Sequence, residues 1–204
     1  MQSFQITKKT LDVVLSIFGL IIVSPLLLLL ALIISVEMGR PILFIQDRPG
    51  LNGKPFVLYK LRTMKNAWNR SGLLLPDKER LTRIGSFMRS TSLDELPELL
   101  NVLIGDMSIV GPRPLLKQYL DRYTPEQARR HEVKPGLTGW AQVNGRNSIN
   151  WEEKFKLDVW YVEHQSLALD FKILGLTLIK VLKREGISQE GKATMEKFSS
   201  RNDR

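Results

Sequence analysis

Two adjacent acids, Asp94 and Glu95, stand in the stretch "SLDELPELLNVLIGDMSIVGPRP" (Ser92 to Pro114) and are the side chains best suited to chemistry in this sequence. A carboxylate there can act as a nucleophile or as a ligand for a hard cation such as Mg²⁺. The local pattern has a plainer reading too. Ser92-Leu-Asp-Glu95 fits the S-x-x-E capping box, in which serine and glutamate reciprocally satisfy the first turn of a helix. The readings are compatible, because a helix dipole would hold Asp94 ionised, as either chemical role requires.

Basic residues surround the pair. Arg83 and Arg89 precede it and Arg113 follows in "GPRP", where prolines on both sides limit the backbone and can aim the guanidinium. Arginine binds phosphate with two parallel hydrogen bonds. Solvated surface charge is the ordinary role of any one such residue; as a set beside an acid pair they suggest phosphate handling. The loop "KPGLTGWAQVNGRN" adds backbone amides and Arg146, but it matches neither the Walker pattern nor G-x-G-x-x-G. Its Trp140 can stack on a base or fill the core. His131 and His164 read as structural or surface residues, and no Ser-His-Asp arrangement is evident.

Composition narrows the chemistry. The net charge of +9 suits nucleic acid, an anionic membrane surface or phosphate-bearing substrates. With no cysteine and two histidines, disulfides, thiolate metal sites and a histidine-rich metal centre are excluded. No recognised nucleic-acid module is present.

The elements that must position these residues begin with a membrane segment. Val13 to Val36 contains no charge, and such a run is a membrane segment before it is anything else. Ser24-Pro25 divides it into two halves. Proline removes a helical hydrogen bond, and the serine hydroxyl can satisfy the freed carbonyl. Lys8 and Lys9 before the run and Arg40 and Arg48 after it suit both ends lying in the cytoplasm. A kinked spanning helix and a re-entrant one both fit these features.

Beyond it, Ile42–Met64 reads as a β-hairpin turning at Asn52-Gly53 and carrying Arg48, Lys54, Lys60 and Arg62. "RLTRIGSFMRS" reads as a short helix and Leu93 to Ile104 as another. His131–Asn147 should be an ordered loop. "INWEEKFKLDVWYVEHQ" and "SLALDFKILGLTLIKVLKREG" read as amphipathic helices, the second fit either for an anionic lipid surface or for the core. Ser188 to Arg204 is expected to be a polar, loose tail.

Taken together, the Ser24-Pro25 segment, "QDRPGLNGKPF", "YKLRTM", "SLDELPELLNVLIGDMSIVGPRP", "KPGLTGWAQVNGRN" and "SLALDFKIL" resemble the small monotopic phosphoglycosyl transferases of bacteria, in family order over nearly the whole chain. The likeness is greatest, with "GKATMEKF" contributing, to the members that start N-linked glycan assembly with diacetylated bacillosamine phosphate. The chain corresponds to little more than the catalytic unit, without the extra N-terminal membrane helices of large members.

The resemblance implies a mostly helical fold with a small β-hairpin, a Ser-Pro-broken re-entrant helix and interfacial amphipathic helices. It divides the chain into a membrane segment (1–40), a catalytic domain on the cytoplasmic face of the inner membrane (41–187) and a polar tail (188–204). It implies transfer of a sugar-1-phosphate from a UDP-sugar to polyprenyl (undecaprenyl) phosphate, releasing UMP. Asp94 would attack the sugar-bearing phosphorus and carry a phospho-sugar intermediate. Glu95 would then help the polyprenyl phosphate to attack, and Mg²⁺ would sit at the diphosphate with Asp94 near it. Arg89 and Arg113 match family arginines and lead as phosphate contacts, followed by Lys60, Arg62 and Arg146. Asp170 matches a family motif as catalytic support or helix cap. A homo-oligomer is compatible with all of this. The competing reading is a non-enzymatic basic membrane adaptor for anionic lipid or nucleic acid, in which the acid pair matters only as a cap.

Overall fold

A computed structural model describes residues 2–145, 148–183 and 198. One long helix, α1 (Gln2–Met38), leads into an antiparallel hairpin of β1 (Leu43–Pro49) and β2 (Pro55–Leu61). Short helices α2 (Asp77–Arg80) and α3 (Arg83–Thr91) follow, then α4 (Glu98–Ile104) and β3 (Ser108–Val110). After α5 (Pro125–Ala128), β4 (Gly136–Thr138) pairs in parallel with β3, and α6 (Trp140–Val143), α7 (Trp151–Glu163) and α8 (Leu167–Lys183) complete the helices among the described residues. The fold is mostly helical with a small hairpin, as expected.

The expected break in α1 is not seen: helix runs through Pro25. The physical reason is local. Pro25 has no N–H to give to the carbonyl of Ile21, one turn back, and the Ser24 hydroxyl donates to that carbonyl instead, at 2.9 Å. The orphaned acceptor is satisfied without a break.

Both ends of α1 are fastened to one body. Near its start, Lys8 Nζ donates to Asp170 Oδ2 on α8 at 2.6 Å and to the carbonyl of Val110 at 3.0 Å, while Asp12 Oδ1 accepts from the amide of Ile109 at 3.0 Å. Near its end, Leu30 and Ile34 pack with Leu61 and Met88, and Arg62 donates to the carbonyls of Met38 and Gly39. The remaining face, with Phe18, Ile22, Leu28, Leu32 and Val36, is exposed. Such a stripe on a soluble surface would be a severe liability; it is the face that a bilayer would cover.

The main core lies between the hairpin, β3 and α8: Phe56, Leu58, Val102, Met107, Val110, Tyr161 and Ile173 cluster there. In α8 Asp170 and Ile173 are buried whereas Phe171, Leu178 and Leu182 are exposed, so it has both a core face and an apolar outer face.

Two further expectations are corrected. Gly136–Thr138, expected as loop, is a strand that brings the "KPGLTG" and "GPRP" segments into contact. A Cβ on Gly136 would lie 2.0 Å from the Gly111 nitrogen, so the two backbones touch where only glycine fits. Within the expected polar tail, Phe198 is buried against Tyr119, Trp151 and Phe155. The other tail residues lie outside the described ones.

Candidate active site

The acid pair sits between α3 and α4, and its local structure differs from the capping box. Ser92 has φ 57°, in the left-handed region, where it ends α3 by donating its backbone N–H to Arg89. Its side chain makes no capping bond to the turn that follows. Leu93–Glu95 is one turn of 3-10 helix, and Pro97 separates it from α4, so the single helix expected over Leu93–Ile104 is two elements. A left-handed residue reverses the chain sharply. That turn drives Asp94 and Glu95 inward, where each is 8 % exposed.

The facing wall is β2. Asn101 on α4, fully buried, acts there as a surrogate strand: it accepts from Tyr59 N at 3.1 Å and donates to Val57 O at 2.6 Å. This pairing sets Lys60 against the acids. Lys60 Nζ lies 2.8 Å from Glu95 Oε1 and 3.0 Å from Glu98 Oε1. Only the first is aligned as a hydrogen bond. On the other side, Arg113 grips both Glu95 oxygens, Nη1 to Oε2 at 3.2 Å and Nη2 to Oε1. Arg89 Nε donates to Thr63 Oγ1 at 3.0 Å.

The two acids therefore live differently. Burial alone would raise the pKa of Glu95, but the charges of Arg113 and Lys60 and their hydrogen bonds outweigh it and hold the carboxyl well below its usual range. Asp94 goes the other way: burial and then the neighbouring Glu95 charge push it up, against the opposing pull of Lys60, Arg113 and Arg89. Among the described residues, Asp94 takes no ion pair or side-chain hydrogen bond. The expected helix dipole is weak here, since Leu93–Glu95 is a single 3-10 turn, and burial acts on Asp94 in the opposite direction. Glu98, 1 % exposed, is pushed up to about 7, chiefly by burial and against the pull of Lys60.

The structure brings together Asp94, Glu95, Lys60 and Arg113, with the charge of Arg89 also acting on Asp94. It sends the others elsewhere. Arg62 is buried and holds the C-terminal carbonyls of α1. Asp170 accepts from Lys8 and from the Tyr161 hydroxyl at 2.7 Å, anchoring α1 rather than meeting the acids. Arg146 lies outside the described residues. Trp140 stacks on Trp160, centroids 5.0 Å apart, and packs against the main core. His131 Nδ1 lies 3.3 Å from the Gly50 carbonyl, and burial lowers its pKa to about 4. His164 stacks on Trp160 at 4.3 Å.

Sequence reasoning missed Glu98, Asn101 and Arg48. Glu98 and Asn101 are polar residues three apart on an otherwise apolar short helix, which is a detectable signal of a buried polar face. Arg48 shows none beyond its place in a basic hairpin; burial and then Arg113 lower its pKa to about 10.

The sequence has relatives among known proteins. Residues 3–184 match a family model described as bacterial sugar transferase. The chain is 55 % identical over 198 residues to the uncharacterized sugar transferase EpsL of Bacillus subtilis (strain 168), covering 97 % of this chain and 98 % of that protein. It is 39 % identical over 203 residues to the undecaprenyl-phosphate galactose phosphotransferase of Salmonella typhimurium, covering 91 % of this chain and 42 % of that one. It is also 39 % identical over 186 residues to the UDP-glucose:undecaprenyl-phosphate glucose-1-phosphate transferase of Escherichia coli (strain K12), covering 86 % and 40 %. The chain thus matches EpsL nearly end to end but spans well under half of the other two.

Proposed function

Since the chain belongs to the bacterial sugar transferase family and is a sugar-phosphate transferase by that membership, we propose that it moves a sugar-1-phosphate from a UDP-sugar to undecaprenyl phosphate at the cytoplasmic face of the inner membrane, the first membrane step of a glycoconjugate pathway. The observation that carries the reading is the asymmetry of the acid pair. Glu95 is fully engaged by Arg113 and Lys60, whereas Asp94, its neighbour, is left to react.

In this reading an Asp94 carboxylate oxygen attacks the sugar-bearing phosphorus, the bond to UMP breaks, and UMP leaves with the electron pair. An oxygen of undecaprenyl phosphate then attacks the same phosphorus and releases Asp94. Two steps allow the water-soluble and lipid substrates to use the site in turn. Held well below its usual pKa, Glu95 is a weak proton acceptor. Its part is to orient Lys60 and Arg113 toward the phosphates. A phosphate monoester, with a second pKa near 6, needs no strong base to attack at neutral pH.

The donor set fits Mg²⁺ in a limited way. Among the described residues no cluster of three or more potential ligands exists, and Glu95 has both oxygens taken. Asp94 remains as one carboxylate, and Mg²⁺ commonly binds through one or two carboxylates with substrate phosphates and water. Bound there it would supply positive charge that favours ionised Asp94 and screens the diphosphate.

The attachment of α1 supports a one-sided membrane arrangement. Lys8 and Met38 are about 45 Å apart along a straight helix at 1.5 Å per residue, beyond the ~30 Å hydrocarbon core. Yet both ends hold the same body. An upright spanning helix would carry one end away from it; a re-entrant or in-plane one would not. Cysteines at Gln5 and Glu37 should therefore label only from the cytoplasm, and labelling of either from the periplasm would refute this topology.

UDP-N,N'-diacetylbacillosamine is the donor proposed first, on the family likeness of the sequence. The named relatives make UDP-glucose and a galactose donor its rivals. UMP release from a panel of UDP-sugars with undecaprenyl phosphate and Mg²⁺ decides among them. With donor alone, mass spectrometry should find a sugar-phosphate adduct on Asp94. Full turnover by folded Asp94→Asn would sink the mechanism, and salt-sensitive lipid binding without any turnover would favour the adaptor reading.

A further inference from the structure

The three carbonyls of Pro112-Arg113-Pro114 are each held from a different part of the chain. Gly136 N donates to Pro112 O at 3.0 Å, Arg130 Nη2 to Arg113 O at 2.8 Å, and Arg48 Nη1 to Pro114 O at 3.3 Å. Two of the three residues lack an N–H, so their carbonyls are the main handles by which the segment can be fixed. Of the three donors, Arg130 is the most tightly held. It is 2 % exposed, its Nε and Nη2 lie 3.1 and 2.7 Å from Asp158 Oδ2 on α7, and its guanidinium lies 5.9 and 5.7 Å from the ring centroids of Tyr123 and Phe155.

Stability alone does not account for such a pair. A buried ion pair can often be replaced by apolar residues of similar volume with no loss. What an apolar pair could not supply is the donor to Arg113 O. We infer that Arg130, locked by Asp158, is a positioning residue for the transfer site: it fixes the backbone of Arg113 and so aims the guanidinium that grips Glu95. The inference rests on the proposed reaction for its functional meaning, while its geometric half stands apart. The guanidinium fork is required, because Nη2 serves Asp158 and Arg113 O while Nε holds Asp158. A lysine has one nitrogen and no fork.

Four variants of the full chain in lipid nanodiscs (R130K, R130M/D158L, R113A and R113A/R130K) test this, read by UMP release per folded molecule and by hydrogen exchange at the Gly111 and Gly136 amides, which donate to the carbonyls of Thr138 and Pro112. R130K keeps the buried charge paired. The double variant R130M/D158L removes both charges of the pair and keeps apolar volume in their place, and a cooperative thermal melt checks that it folds. Both should lose kcat by on the order of 10²-fold, the cost of misplacing a group by about 1 Å, with KM for the UDP-sugar within about threefold of wild type. Exchange at the two amides should rise by about tenfold. In an Arg113→Ala background, R130K should add less than about threefold, because a residue acting only through Arg113 has nothing left to position. Wild-type turnover in both variants, losses that multiply in the Arg113→Ala background, or unchanged exchange would each overturn the inference. If the wild type releases no UMP from any donor, the reaction is refuted and exchange alone judges the positioning role.

Discussion

Glu98 makes the electrostatics of the site measurable without turnover. The perturbation is Glu98→Gln, which keeps the shape of a 1 % exposed side chain and removes its charge. Burial lifts the folded pKa from the usual 4.5 to about 7. Below pH 4.5 the group is protonated in both folded and unfolded chains. Between 4.5 and 7 the folded chain keeps a proton that the unfolded chain has lost, so stability falls as pH rises. At about 1.4 kcal/mol per pH unit, that interval is worth about 3 kcal/mol. His131 works against this. Its lowered pKa of about 4 means the unfolded chain binds the extra proton between 4 and 6.5, so its contribution rises with pH. The wild-type curve alone therefore sums opposing contributions, those of Asp94, Glu95 and Asp158 among them, and does not isolate Glu98. Both proteins contain His131, so the difference between them isolates Glu98. Urea or thermal unfolding in detergent from pH 4.5 to 8 should show Glu98→Gln gaining about 3 kcal/mol on wild type, or about 6 to 12 °C in Tm for a chain of this size. A difference that does not change with pH would mean that Lys60 keeps Glu98 ionised throughout, and the burial argument would fail.

Asp94→Asn should abolish turnover yet unfold later than wild type at pH 8, since it removes a buried charge that Glu95 repels; a clear loss of thermal stability would contradict that. Gly136→Ala places a Cβ 2.0 Å from the Gly111 nitrogen, so it should cost about 3 kcal/mol or more in chemical denaturation. Phe198→Ala removes a ring packed on Tyr119, Phe155 and Trp151, and should cost about 3 to 5 kcal/mol by the same measurement. A cost near zero would mean that the aromatic contact does not persist in solution.

What the sequence disclosed, and what it withheld, follows the range of the interactions. The hairpin at Asn52-Gly53 and the helices α3, α7 and α8 are written in local pattern, and they formed as expected. The role of Ser24 was legible because the orphaned carbonyl lies within one turn. Ser92 misled because a serine three residues before a glutamate is the same pattern whether the serine starts a helix or ends the preceding one. Its φ of 57° depends on how α3 and α4 pack, which no four-residue window contains. The β3–β4 pair was hidden by strands of three residues each, too short to show alternation. Arg62 was read as a phosphate contact and Asp170 as catalytic support or a helix cap, whereas their partners Met38 and Lys8 are set by tertiary contact alone. Phe198 likewise sat in a polar stretch, and only its distant aromatic partners explain its burial.

The Lys8–Asp170 bond has a consequence for biogenesis. Its partners are 162 positions apart. At roughly 5 to 20 residues per second, α1 emerges on the order of 10 to 30 s before its anchor exists. Through that interval Asp170 is not available to Lys8, and the Val110 carbonyl, 102 positions on, becomes available only in its later part, so the start of the helix has no partner when it emerges. In the proposed one-sided arrangement the nascent helix settles at the lipid boundary by its own apolar face. The rest of the chain then folds against a segment that has already chosen its depth, so the bilayer serves as the first template for the fold and the enclosing ion pair as its late latch.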